Sequence, residues 1–289
     1  MITYKPKVKT RNKDYTILNS ELFIDFFIFF VVVPLFLTVV FLSPLNEWFI
    51  LHTSNPELIP IYFSNYAHSN IQHFLQNLIP YYLLISLIFR FHDNRYQFYI
   101  DMFLIFGILP LLISFSNIIS FQYKNTLGFS GIVAALVSYL LYTVYTYIQK
   151  QCNLYFRNII PVFIFGFTVF IIILKYQIVY TVNPEFTLIF FFMLLFTAVF
   201  YKNELEDFIT SSRNLLEMYI KKSLIKNRFI DIFTDLYIFM TIIVFIIVIF
   251  LSLFPVNINN TNILSHYIGY CFGLFAPIVS KTLQKSKFY

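Results

Sequence analysis

One serine in this sequence lies between two glycines at the start of an apolar run, in the stretch GFSGIVAA that begins at Gly128. A serine hydroxyl becomes a useful nucleophile when a base takes its proton, and neutral imidazole is the usual base. Ser130 is therefore a candidate nucleophile. The glycines Gly128 and Gly131 would let the backbone turn tightly and leave room above the hydroxyl.

Two further stretches carry histidines near the ends of apolar runs. In AHSNIQHFLQN, His73 and Asn77 are four residues apart and so share one face of a helix. In SHYIGYCFGL, His266 is followed by Gly269 and Gly273, a small-residue spacing that lets membrane helices approach closely. His266 is the candidate base. The His73 ring, the Asn77 amide and the backbone N–H groups around the serine are candidate donors to an oxyanion.

The composition places these residues in a membrane protein. The chain has 289 residues, of which 59% are hydrophobic and only 12% are charged, too apolar for a soluble domain. The net charge of +6 is interpreted as a signal of topology and not of nucleic-acid binding, because cytoplasmic loops of membrane proteins collect Lys and Arg. Two cysteines cannot form a disulfide framework, and Cys152 and Cys271 are predicted to be structural.

A bilayer core takes about 20 apolar residues per helix. Runs of that kind predict eight spans, at 21–42, 71–90, 97–117, 128–148, 159–180, 185–201, 229–254 and 263–280. With the N-terminus inside, every Lys and Arg except Lys124 and Lys175 falls on the cytoplasmic side. This count predicts cytoplasmic termini and places the candidate site residues at similar depth under the outer leaflet.

The predicted domain organisation is simple. Residues 1–20 form a basic cytoplasmic segment, and residues 21–289 form one all-α polytopic transmembrane domain. The polar block 202–228 is predicted to be a cytoplasmic amphipathic helix on the membrane surface, with a mere charged connector as the alternative.

These motifs, in this order and on these spans, resemble those of the rhomboid intramembrane serine proteases. The resemblance implies a six-helix core with a dyad of Ser130 and His266, with His73 and Asn77 lining the oxyanion hole and His68 near the mouth of the site. It implies hydrolysis of a peptide bond in or near a transmembrane segment of a protein substrate, within the lipid bilayer and towards its outer face. The resemblance requires no metal, no cofactor and no nucleic acid.

The sequence departs from the family pattern in three places. The position four after the serine is commonly aromatic and stacks on the dyad histidine, but here it is Ala134. The tryptophan–arginine pair of the first outer loop is absent, since Trp48 is followed by Phe49. Three predicted spans, not one, separate the serine from the histidine, which implies an extra hairpin at about 159–201. The span 229–254 would then be the mobile gate helix of the family.

Other functions are less consistent with the sequence. A non-catalytic rhomboid-like protein that binds transmembrane helices would be favoured by a broken dyad, but both members are present. A transporter or channel would want charged groups near the midplane, whereas Asp25, Asp101 and Asp235 lie near predicted span ends. The nucleophile elbow of α/β-hydrolases is excluded because the second glycine follows the serine directly.

Overall fold

A computed structural model gives the fold of the chain. The structure describes residues 23–92, 94–121, 124–151, 159–180, 184–207 and 262–286, with the shorter stretches 209–210, 213–214, 217, 244, 247–249 and 251–254. The predicted basic segment 1–20 lies outside these residues, as do most of the predicted span 229–254 and the second half of the segment 202–228.

The described residues are almost entirely helical. Beside two short strands, β1 (Leu51–His52) and β2 (Asn125–Thr126), the helices are α1 (Phe23–Leu42), α2 (Leu45–Trp48), α3 (Leu58–Phe63), α4 (Ile71–Phe91), α5 (Arg95–Ser120), α6 (Ser130–Gln151), α7 (Ile159–Tyr180), α8 (Pro184–Phe200) and α9 (Ile263–Ser286). The chain is therefore an all-α polytopic membrane protein.

Five helices in the described part of the chain are long and apolar enough to cross a bilayer, namely α1, α4, α5, α6 and α9. They match five of the predicted spans. The helices α7 and α8 occupy the predicted hairpin 159–201 and pack against each other. The full eight-span arrangement remains a prediction, because the span 229–254 lies mostly outside the described residues.

Helix α6 is the central element of the bundle. Its first three turns are almost fully buried, and it packs most extensively against α9 and then against α4. A Cβ atom at Gly269 would collide with the carbonyl oxygen of Gly131, and one at Gly273 would collide with that of Ala135. The predicted close approach through small residues is therefore present, and the backbones of α6 and α9 touch over one full helical turn.

The loop between α1 and α4 covers the end of the bundle where α4, α6 and α9 begin. Strand β1 pairs antiparallel with β2, and Thr53 and Lys124 extend this connection through three hydrogen bonds of 2.9–3.0 Å. Asn46 forms two further bonds of 2.8 Å to the backbone of His68. These contacts fix the segment that leads into Ser130.

The opposite half of the bundle is joined by buried polar side chains. Asp25 at the start of α1 forms an ion pair with Arg95 at the start of α5, with an Nε–Oδ2 distance of 2.8 Å. Asp101 lies less than two turns from the start of α5, near the span end as predicted, and is 1% exposed because neighbouring helices cover it. Its carboxylate accepts hydrogen bonds from Gln97, Tyr139 and Ser280, and so connects α5 to α6 and α9.

Helix α8 differs from the core helices because most of its large apolar side chains are exposed. These include Phe192, Phe196 and Phe200. An apolar helix of this kind is stable in lipid, which fits a position at the rim of the bundle. The described residues of the segment 202–228 are helical, with an exposed pair between Lys202 and Glu206. Its predicted position on the membrane surface remains a prediction.

Candidate active site

The first residue of α6 and the fourth residue of α9 meet in a hydrogen bond. The Nε2 atom of His266 lies 2.7 Å from Oγ of Ser130, although the two residues are 136 positions apart. His266 is buried, whereas Ser130 is partly exposed. The structure therefore brings together the two residues predicted to form a dyad and leaves the serine accessible.

The contact of the other ring nitrogen of His266 shows whether Ser130 or His266 is the donor in this hydrogen bond. Its Nδ1 contacts the carbonyl oxygen of Leu253. A carbonyl only accepts hydrogen bonds, so the proton of the neutral imidazole is on Nδ1. The lone pair on Nε2 then accepts a hydrogen bond from the Ser130 hydroxyl, which is the geometry that a general base needs.

The beginning of α9 is fixed by a network that positions His266. Asn262 caps the helix, since its side chain accepts a hydrogen bond of 3.2 Å from the backbone N–H of Ser265. Its own amide donates to the side-chain oxygen of Asn117 on α5, at 2.9 Å, and the Asn117 amide donates to Ser265 Oγ at 3.2 Å. The helix turn that carries the imidazole is thus tied to α5.

The backbone before Ser130 requires glycine. Gly128 has a φ of +136°, which residues with a side chain rarely adopt, and its N–H donates to the carbonyl of Ser64 at 3.0 Å. A Cβ atom here would lie 2.9 Å from Cε1 and 3.2 Å from Nε2 of His73, and 3.7 Å from Oγ of Ser130. Gly128 therefore leaves the space that the His73 ring occupies next to this segment.

The two side chains predicted to line the oxyanion hole, His73 and Asn77, have different hydrogen-bond partners. The ring of His73 lies next to Gly128, two residues before the serine, and its Nδ1 lies 3.2 Å from Oγ of Ser69. Asn77 is buried on the same helix, but its amide donates to the His73 carbonyl at 3.0 Å and, among the described residues, forms no hydrogen bond to Ser130. The structure therefore places the His73 ring on the Gly128 side of the site, whereas the Asn77 amide bonds to its own helix.

His68 lies behind His73 and is fully buried. Its ring contacts the rings of Phe74 and His73 edge to face, with centroid distances of 5.2 and 5.3 Å. Burial lowers the pKa of His68 to about 3, and the neighbouring His73 acts in the same direction. His68 is therefore a neutral packing residue behind His73, and its position near the mouth of the site stays a prediction.

Sequence reasoning missed an aromatic neighbour of the candidate base. Position 134, where an aromatic ring would stack on the histidine, is occupied by Ala134, which is buried on α6 and has no ring. Instead, the ring of Phe254 meets the imidazole of His266 edge to face, at a centroid distance of 6.0 Å and an interplanar angle of 90°. An aromatic contact to the imidazole is thus made from a different part of the chain.

The arrangement as a whole can transfer an acyl group. It combines a partly exposed hydroxyl, an imidazole nitrogen that accepts a hydrogen bond from that hydroxyl, and a second imidazole next to Gly128. No family model, curated protein or solved structure matches this chain.

Proposed function

We propose that this chain is a rhomboid-like intramembrane serine protease that hydrolyses peptide bonds in or near transmembrane segments of other membrane proteins. One observation carries the proposal, the hydrogen bond of 2.7 Å between Ser130 Oγ and His266 Nε2 in a membrane protein. The alternation of Lys and Arg along the chain supports a site towards the outer face of the cell membrane, with both termini in the cytoplasm.

The reaction would begin when Ser130 Oγ attacks the scissile carbonyl carbon while its proton passes to His266 Nε2. The resulting tetrahedral intermediate carries an oxyanion, and its collapse breaks the C–N bond as the same proton moves to the leaving nitrogen. An ester between Ser130 and the substrate acyl group remains. Water, deprotonated by His266, hydrolyses that ester and restores the serine hydroxyl.

The oxyanion would be stabilised by donors that converge on the start of α6. The backbone N–H groups of Ile132 and Val133 already donate to the Phe129 carbonyl, at 3.0 and 3.1 Å, so the backbone candidates are the N–H groups of Ser130 and Gly131, at the very start of the helix. If the Ser69 hydroxyl donates to Nδ1 of His73, the Nε2 of that ring carries the proton and can donate. Rotation of the Asn77 amide away from the His73 carbonyl would add a further donor. One such donor typically contributes about 3 kcal/mol to transition-state stabilisation.

The proposal is tested by cleavage of a model substrate with a helix-destabilised transmembrane segment, using protein purified in mild detergent. We expect wild type to cleave and Ser130→Ala to be inactive. Ser138→Ala is the matched control, because this buried serine lies two turns later on α6 and, within the described part of the chain, bonds to the carbonyl of Ala135 on its own helix. Cleavage by Ser130→Ala at the wild-type rate would refute the assignment of the nucleophile, and an inactive wild type would refute the proposed function.

A further inference from the structure

Helix α7 carries a lysine in an otherwise apolar sequence. Lys175 is half-buried, and its Nζ donates a hydrogen bond to the carbonyl oxygen of Phe254. Phe254 directly follows the helical residues 251–253, where a carbonyl has no intrahelical donor. A charged group at membrane depth is costly, and such groups tend to have a specific partner and role.

The segment that Lys175 contacts is also the segment that holds the candidate base. The carbonyl of Leu253 accepts the Nδ1 proton of His266, and the ring of Phe254 meets the same imidazole edge to face. Three hydrogen bonds therefore follow one another from α7 to the nucleophile. They are Lys175 to Phe254, His266 to Leu253, and Ser130 to His266.

A second contact keeps α7 against the core independently of the lysine. Thr168, about two turns earlier, lies with its hydroxyl 2.8 Å from that of Tyr270 on α9. Loss of the Lys175 side chain would therefore leave α7 in place and release the segment that ends at Phe254. The lysine can be tested without removing the helix that carries it.

We propose that Lys175 is a positioning residue for His266. By holding the Phe254 carbonyl, it fixes the Leu253 carbonyl and the Phe254 ring against the imidazole, and so keeps the lone pair of Nε2 directed at Ser130. The extra hairpin thereby becomes part of the catalytic apparatus and not only a lipid-facing addition. The inference rests on the proposed protease function for its effect on catalysis, while the contact itself does not depend on that function.

The test compares Lys175→Met with Lys175→Arg. Methionine keeps the length of the side chain and loses the donor, whereas arginine keeps a cationic donor. Lys124→Met is the matched control, because Lys124 is exposed and its ammonium lies 4.5 Å from the centroid of the Phe121 ring, while its hydrogen bonds to Thr53 involve only its backbone atoms and are kept. The measurements are the rate at which a fluorophosphonate labels Ser130, and kcat and KM for the model substrate.

We expect Lys175→Met to lower the labelling rate and kcat by about tenfold, as loss of one orienting hydrogen bond does, with KM nearly unchanged. Lys175→Arg restores most of both rates, and Lys124→Met leaves them unchanged. Labelling of Lys175→Met at the wild-type rate would overturn the inference. Equal loss in the methionine and arginine variants would also overturn it, because that result indicates a purely structural requirement for lysine.

Hydrogen exchange separates this inference from the proposed function. The peptide that ends at Phe254 should exchange its amides faster in Lys175→Met than in wild type or Lys175→Arg, whether or not the protein cleaves anything. An inactive wild type with this exchange pattern would refute the protease and retain the contact. Equal exchange in all three proteins would refute the contact itself.

Discussion

Two polar clusters connect helices α5, α6 and α9. The saturated cluster is centred on Asp101, and the reactive cluster is centred on Ser130 and His266. They differ in how many of their polar atoms have hydrogen-bond partners. In one, the Asp101 carboxylate accepts from Gln97, Tyr139 and Ser280, and it is fully buried. In the other, Ser130 is partly exposed, and its hydroxyl has His266 as its side-chain partner among the described residues. A saturated cluster can only hold helices together, whereas a cluster with an accessible, activated hydroxyl can react.

The largest effect is expected from breaking the reactive cluster. Groups that act as a unit show non-additive losses, so Ser130→Ala, His266→Ala and the double variant should be equally inactive, each at least about 10³-fold below wild type. Rates of cleavage in detergent and melting temperatures provide the measurement. A double variant clearly slower than either single variant would show that the two residues act independently.

A substitution in the saturated cluster should lower the free energy of unfolding and leave the cleavage rate of the folded protein unchanged. Asp101→Ala leaves the Tyr139 hydroxyl without its acceptor, while Gln97 and Ser280 can still bond to each other. We expect a loss of about 3 kcal/mol in the free energy of unfolding, since each unsatisfied buried donor costs roughly 1–3 kcal/mol. Denaturation measures the loss, with Asp101→Asn as a milder control. A folded Asp101→Ala protein with strongly reduced kcat would contradict the division between the two clusters.

The sequence was sufficient to predict much of this arrangement. Apolar runs indicate five of the membrane helices, and the alternation of Lys and Arg predicts that Ser130, His73 and His266 begin helices at the same end of the bundle. Both signals can be read directly from the sequence, because an apolar run is a local feature and the Lys and Arg residues are counted loop by loop. The cap at Asn262 could also have been found, because Asn directly before an apolar helix is a recognised start signal.

The contacts of Leu253, Phe254 and Lys175 could not have been predicted. Lys175 and Phe254 are 79 residues apart, and no spacing rule connects a helix-end carbonyl to a distant lysine. The ring that faces His266 comes from Phe254 and not from position 134, so only the packing of helices shows which aromatic residue is near. The hydrogen bonds of Asp101 were not predictable for a similar reason, since its three donors come from two other helices as well as its own.

The packing behind the reactive cluster should be sensitive to acid. Because the pKa of His68 is lowered to about 3, the unfolded chain binds a proton below pH 6.5 that the folded protein does not, and stability falls as the pH drops. Between pH 7 and pH 5 this residue alone should account for about 2 kcal/mol. Thermal denaturation at both values measures the effect. His68→Phe should lose less stability on acidification, and an equal loss would exclude His68 as the cause.

The smallest expected effect concerns the helix contact that aligns the reactive cluster. A methyl group at Gly269 would collide with the Gly131 carbonyl and push α9 away from α6 one turn below His266. We expect Gly269→Ala to reduce cleavage by about tenfold, as overpacking by one methyl group costs about 1–3 kcal/mol. At Gly107 the nearest atom to a new Cβ is a Phe103 side-chain carbon at 3.4 Å, so Gly107→Ala is the control. Equal rates in the two variants would contradict a role for the close approach.

The separation of 136 positions between Ser130 and His266 has a consequence for biosynthesis. A chain emerging from the ribosome makes α1 to α6 before α9, so the growing polypeptide contains the serine and His73 before it contains His266, the candidate base. In the proposed mechanism such a precursor is inert towards neighbouring membrane proteins and towards itself. If the proposed mechanism holds, the dyad is complete only after α9 has packed against α6, so correct assembly of the bundle is a condition for the proposed activity.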